Sequence, residues 1–501
     1  MKKYKNVEGT RKLYHNEPNV NSIHCASLMV PEIEHTDVSI SFLNHFLLKR
    51  NYEKVACRVT AVDTDGKKIK SNLHIVEKPI VYTIPLTGMV NQSVSNYIID
   101  FFSADNLFIP FPAVMINHKG IGFINQVHSY NRVLNDVFED DAINEVHVSE
   151  ASVDLVLDDD TDTFLVFSVG PMSCKEPIEI EILTKTDSFK TKCITNLPRF
   201  GNKKYHIKEI FNNIPNGVKG VMRIKQPHQI LFYGRMLTGQ IKNNGSFSAN
   251  HSYYDSSKFD EYWDNDSPSQ RFYPYFNNLN NIIRMYPVMS PSKLFLFVNF
   301  YTDNGATMGE ASIGDLTSPD NRFLDLTINT LAEKLGLDLE KISSFALTVK
   351  TDSNKMPTRV SHQLIYGDGG LNTSINIALN NSNVFVAKDK KSFKWGQTIT
   401  GGDFDSYVGI VADVSENPLI DTPETIVKFY DENGEIAKRS WKISNGSSIK
   451  FKISEELKNE LGKNDKIKYV WCTVKSKQFG LNFFSVAFNK ITNNFSGDHG
   501  F

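Results

Sequence analysis

What this sequence lacks narrows it first. Its 501 residues include five cysteines, Cys25, Cys57, Cys174, Cys193 and Cys472. They are scattered and show no C-x-x-C spacing, so neither a disulfide framework nor a thiolate zinc site is expected, and a reducing compartment fits best. Cys57 in KVACRVTAV and Cys472 in KYVWCTVK sit in strand-like runs and read as small buried apolar side chains. An excess of one charge is missing too. The 55 lysines and arginines nearly cancel 57 aspartates and glutamates, leaving a formal net charge of -2. That is too weak a field to draw in a phosphate backbone or an anionic lipid surface.

No apolar run approaches the about 20 residues a membrane-crossing helix needs. The basic opening MKKYKNVEGTRKLYHNEPNV is not followed by the apolar segment of a Sec signal. Nucleic acid and membrane insertion are therefore not expected. Synthesis in the cytoplasm without Sec export is, with cytoplasm, cell surface or virion as final address. Catalytic signatures are absent as well: there is no G-x-S-x-G, no phosphate-binding G-x-x-x-x-G-K-[ST], no G-x-G-x-x-G after a strand and no H-E-x-x-H. The oxygen-rich pieces DTDG, DDDTD, TDNG, DENG and GGDFDS lack the spacing and closing glutamate of an EF-hand loop. Tight turns account for them, so no cofactor is expected, calcium being the one ion considered.

What is present is strand after strand. Alternating β-branched and aromatic residues fill KVACRVTAV, DTFLVFSV, PIEIEILTKT, KLFLFVNFY, SSFALTVKT, ETIVKFY and KIKYVWCTV. Helix-like pieces are few and short: IKEIFNNI, LAEKLGL, DLEKISS and SEELKNELG. Three hairpins turn at Asp65-Gly66, Asn304-Gly305 and Asn433-Gly434, where glycine supplies the positive φ a tight turn needs. A fourth turns without glycine near Asp187 and Ser188. These turns recur at intervals of roughly 120 residues, the mark of internal duplication.

The chain is also too long for one core, since cores stop growing beyond about 250 to 300 residues. The fold class expected is therefore all-β: four tandem antiparallel β-sandwich modules of immunoglobulin-like type with a few short connecting helices, two jelly-roll domains being the alternative. The modules are expected over residues 1–145 with a polar N-terminal arm, 146–266, 267–385 and 386–501.

One stretch, SANHSYYDSSKFDEYWDND from Ser248 to Asp266, mixes histidine, aromatics and acids. It has relatives. QVHSYNRVLND repeats the His-Ser-Tyr at His128 to Tyr130, VSHQLIYGDGG carries His362, and NNFSGDHGF carries His499. The stretch thus reads first as a recurring module exit whose histidine satisfies backbone groups at a bend. Its binding reading names His128, Tyr130, His251, Tyr253, Tyr254, Asp255, Asp260 and Trp263, with flat rings for a sugar and acids for polar contacts. No catalytic residue and no metal ligand is assigned. Asp260 and Glu261 would serve glycoside hydrolysis only if a cleft set their separation. The aromatic segment RFYPYFNNLNNIIRMYPVM, Arg271 to Met289, reads as a packed junction or else an exposed patch for a partner.

The function expected is that of a non-enzymatic structural or interaction protein. It would self-assemble or join a larger particle, filament or surface, with itself or another protein as partner. The alternative is a carbohydrate-binding or carbohydrate-active protein using residues 251–263, with a glycan as ligand.

Overall fold

Period-two patterning produces strands here wherever one face can be buried. In Leu294–Tyr301, Leu294, Leu296, Val298 and Phe300 are buried while their neighbours are half-exposed, which is the alternation an antiparallel sheet with one solvated face demands. The computed structural model describes residues 25–103, 109, 112–133, 150–254, 262–286, 288–318, 323–382, 392–413, 424–462, 465–477 and 480–501. The polar arm, the expected boundaries at Glu145 and Phe385, and the candidates Asp255, Asp260 and Glu261 lie outside the described residues.

The strands form four antiparallel β-sandwiches. In the first, one sheet runs in the order Arg132–Val133, Cys25–Pro31, Asn96–Ser103, Val55–Val62, Lys68–Val76, and the other in the order Val81–Pro85, Asp37–Leu43, Met115–Gly120, Phe123–His128. The second, third and fourth sandwiches draw their sheets from residues 150–254, 269–381 and 392–499. Numbering strands from the start of each sandwich, and leaving aside three two-residue strands elsewhere, the second sheet reads 5-2-7-8 in all four. The first reads 1-6-3-4 in all four, extended beyond strand 1 in three of them. One topology is thus used four times, which favours four small sandwiches over two jelly rolls. The short strand Phe232–Tyr233, from within the second sandwich, adds to the first by pairing with Arg132–Val133.

The hairpin turns follow their chemistry. Gly66, Gly305 and Gly434 have φ of 77°, 81° and 129°, and each hairpin carries a register shift where its first strand enters the turn, the bulge that such loops accommodate. The turn without glycine is closed instead by the Thr184 hydroxyl, which accepts from the Asp187 N–H at 2.8 Å. The expected helical pieces are single turns or little more: Ile207–Ile210, Ile328–Lys334, Leu339–Lys341 in 3-10 form, and Ile453–Glu456 with Lys458–Leu461. One further helix, His45–Arg50, interrupts the first sandwich. The Asn44 side chain accepts from Leu47 N at its start, and Asn51 ends it in the left-handed conformation.

The sandwiches are not strung out separately. One hydrophobic core combines Leu28, Phe42 and Phe101 of the first sandwich with Phe164, Leu237 and Phe247 of the second and Trp395, Tyr430 and Trp471 of the fourth. Another combines Tyr273, Phe345 and Tyr366 of the third with Val411, Phe484 and Phe495 of the fourth. The Trp471 indole donates to the Ser41 hydroxyl at 2.9 Å across the first and fourth sandwiches. The segment Arg271–Met289 contributes Phe272, Tyr273, Tyr275 and Phe276 to this interior, all buried, so it is a packed element and not an exposed patch.

Two outcomes follow from this packing. Phe247 meets the rings of Phe123, Phe164 and His118 at centroid distances of 5.0, 5.5 and 5.7 Å. Phe247→Ala is expected to cost about 3 to 5 kcal/mol and to shift urea unfolding of the first and second sandwiches together; separate transitions, only one of them shifted, would contradict a shared core. At the hairpin tips, a Cβ on Gly66 would run into the Arg199 carbonyl and one on Gly305 into the Asn445 carbonyl, whereas Gly434 has open space. All three sites carry left-handed strain of about 1 to 2 kcal/mol for an alanine. Gly66→Ala and Gly305→Ala should therefore lower the thermal midpoint more than Gly434→Ala.

Candidate functional site at the meeting of the closing strands

Strand 8 ends the four-stranded 5-2-7-8 sheet of each sandwich, and its free edge would be an unpaired row of N–H and C=O groups. The four closing strands, Phe123–His128, Phe247–His251, Ile375–Ala378 and Phe495–His499, meet one another instead. The first lies against the second and fourth, and the third touches the same two. Polar side chains fasten the crossing points. Asn125 Oδ1 accepts from Ala249 N at 2.7 Å, Ser496 Oγ accepts from Gln126 N at 2.9 Å, and Asn376 Nδ2 donates to the His251 carbonyl at 2.6 Å.

Register places three histidines at one position of this junction. His128 pairs with Met115, His251 with Leu237 and His499 with Phe484 on the preceding strand; the third sandwich has Ala378 there, opposite Ser361. His362, which sequence spacing grouped with them, lies on the preceding strand and pairs with Ile377. It bonds to the Tyr273 hydroxyl at 2.6 Å through Nε2 and is not part of the cluster. The rings of His251 and His499 sit 4.5 and 4.7 Å from that of His128. Among the described residues, this is the one group of three or more His, Cys, Asp or Glu side chains whose donor atoms lie close enough to share an ion, all within 4.8 Å.

Each ring is held by an oxygen on its Nδ1. The Asp498 carboxylate takes His128 Nδ1 at 2.9 Å and also the His128 backbone N–H at 2.7 Å. The Ser252 carbonyl takes His251 Nδ1 at 2.7 Å, and the Gly500 carbonyl takes His499 Nδ1 at 2.9 Å. Burial alone would raise Asp498, but the neighbouring His128, by charge and hydrogen bonds, holds its carboxyl below the usual range. Burial, reinforced by His128 and Arg235, pushes His251 well below an ordinary imidazole. Burial and His128 bring the half-buried His499 down to about 4.

Of the residues named from sequence, the fold brings His128 and His251 together and adds His499 and Asp498. Tyr130 is buried in the first core; its hydroxyl finds no hydrogen-bond partner among the described residues, so it serves packing. Tyr253–Tyr254 form a short strand beside Ser152 and Ala151. Trp263, half-exposed, belongs to a separate two-stranded ribbon with Met356–Pro357. His499 carried the same signal as His251, a histidine at a module exit, but Asp498 gave none, because an isolated aspartate at a strand end is unremarkable until its partner is known.

No family model matches this chain, and no curated protein matches it either. Among solved structures it is similar, at 8% identity in each case, to a tetra-tandem repeat in the extending region of a large adhesion protein, over 95% of this chain and 98% of that one. It is likewise similar to the FN1–FN3 domains of chicken CNTN1, over 70% and 98%. The TM-scores are 0.09 and 0.08, values at which superposition implies nothing about this chain.

His362 next door provides a pH test. An imidazole in the unfolded chain titrates near 6.5, whereas burial, with Arg271 nearby, brings His362 down to about 3; burial takes His118 to about 4 and His45 to about 3. Between those values the unfolded chain binds protons the folded chain refuses, so stability is complete above pH 6.5 and declines as pH falls. The urea midpoint should drop steadily from pH 6.5 to 4, and His362→Gln should make that decline shallower without removing it.

Proposed function

We propose that this protein is a non-enzymatic structural or interaction component, a block of four interlocked β-sandwiches that associates with further copies of itself. The observation that carries the reading is a place where two large apolar side chains, joined through their turns, meet water. Ile121 and Ile491 are 99% and 75% exposed, and both sit on turns where polar residues are the rule. The two turns are fastened together: Thr492 Oγ1 donates to the Gly122 carbonyl at 2.6 Å, and Asn494 Nδ2 donates to the same oxygen at 3.2 Å. Among the described residues little covers either side chain, and covering each fully would return up to about 1.5 to 3 kcal/mol.

The outer edges point the same way by exclusion. In the first, second and fourth sandwiches the second strand of the outer hairpin carries Lys68 and Lys70, Lys190 and Lys192, and Lys438 and Lys442, and charge along a sheet edge opposes strand pairing with another molecule. Leu73 and Ile75, both exposed on Lys68–Val76, provide a second apolar spot on one such edge. The carbohydrate alternative has less support, since Trp263 stands apart from the histidines and Tyr130 is buried.

Size-exclusion chromatography with light scattering at several concentrations tests the reading. Mass is expected to rise with concentration, and a double variant, Ile121→Asp with Ile491→Asp, should stay at one chain. A wild-type mass of one chain at every concentration would overturn self-association; association unchanged in the double variant would remove the turns as its contact.

A further inference from the structure

We propose that His128, His251 and His499 together bind one divalent transition-metal ion, of the Zn2+ class, which ties the first, second and fourth sandwiches at their junction. The donor set comes from the last positions of three closing strands, so the docking of three sandwiches brings three imidazoles together.

Hydrogen bonding decides which nitrogen ligates. The carbonyls of Ser252 and Gly500 only accept, so Nδ1 of His251 and His499 carries the proton. The Asp498 carboxylate imposes the same tautomer on His128. In the neutral rings this leaves Nε2 as the lone-pair donor. An oxygen acceptor behind each coordinating imidazole, carboxylate or carbonyl, is the outer-shell arrangement that orients metal-ligating histidines and raises their basicity.

The ion class follows from the donors. Imidazole suits zinc, copper and nickel, whereas calcium and magnesium require oxygen ligands. The carboxylate at the cluster, Asp498, is engaged with His128. At the third sandwich's equivalent position Ala378 has no donor, so the described residues supply three ligands and a tetrahedral ion keeps water as its fourth. A zinc–nitrogen distance of about 2.0 to 2.1 Å sets the ligating nitrogens about 3.3 Å apart. One nitrogen from each of the three rings now lies within 4.8 Å of the other two, so binding requires the rings to turn and draw inward.

The test uses the full chain, stripped with EDTA, dialysed and titrated with ZnCl2, with bound metal measured by elemental mass spectrometry and affinity by competition with a chromogenic chelator. The expected result is one zinc per chain, a raised thermal midpoint, and a tetrahedral visible spectrum on substitution with Co2+. His499→Gln, at the half-buried corner, should abolish the one-to-one binding. Asp498→Asn keeps every ligand and should weaken it by about 10- to 100-fold. Absence of stoichiometric uptake by the wild type overturns the proposal, as does His499→Gln binding as tightly as wild type. Should that variant misfold, the wild-type Co2+ spectrum decides: no tetrahedral nitrogen signature means no such site.

Discussion

An exposed sheet edge is a liability, and in this protein each sandwich has its inner edge covered by another sandwich. The closing strands meet where backbone groups would otherwise be unpaired, and side chains of neighbouring sandwiches take up several of those groups. That contact sets local sequence. Gly497 must lack a side chain, because a Cβ there would press on the Ser485 carbonyl, Thr373 and Ile375; one on Gly370 would meet the Asn493 carbonyl. The shared cores and the position of the histidines follow from the same docking.

The junction is held by polar groups as much as by apolar ones. Gln397 Nε2 donates to Asn117 Oδ1 at 2.7 Å and to Gln126 Oε1 at 3.1 Å, joining the fourth sandwich to the first. Arg284 of the third sandwich, itself buried, reaches Asp154 of the second and Asp325 of its own. Burying such groups gains little net stability, because desolvation offsets much of the attraction. Their effect is on uniqueness, since a displaced register would strand several buried donors at once.

Much of the fold could be read from sequence because period-two alternation and turn glycine are local signals, repeated here in LFLFVNFY and at Asn304-Gly305. The short helix His45–Arg50 escaped notice: six residues give no helical period, and its cap, Asn44, is common in loops. The site was legible only in part. His128, His251 and His499 recur at module exits, but no residue announces that three exits converge, since that depends on contacts between segments hundreds of positions apart. His362 misled for the same reason, as proximity to an exit in sequence does not fix which strand carries a side chain.

The docking of the last closing strand on the first also bears on how the chain is made. Asp498 and His128 are separated by 370 positions, and a ribosome adding about 5 to 20 residues per second needs on the order of 20 to 70 s to cover that distance. During this interval the first sandwich has nothing from the fourth along Phe123–His128, and Trp471 is not yet available to Ser41. The edge of the first closing strand therefore stays only partly covered, by the second sandwich alone, until the last closing strand arrives. The chain's folding in the cell is a race between docking of the last closing strand and pairing of that edge with a neighbouring nascent chain on the same message.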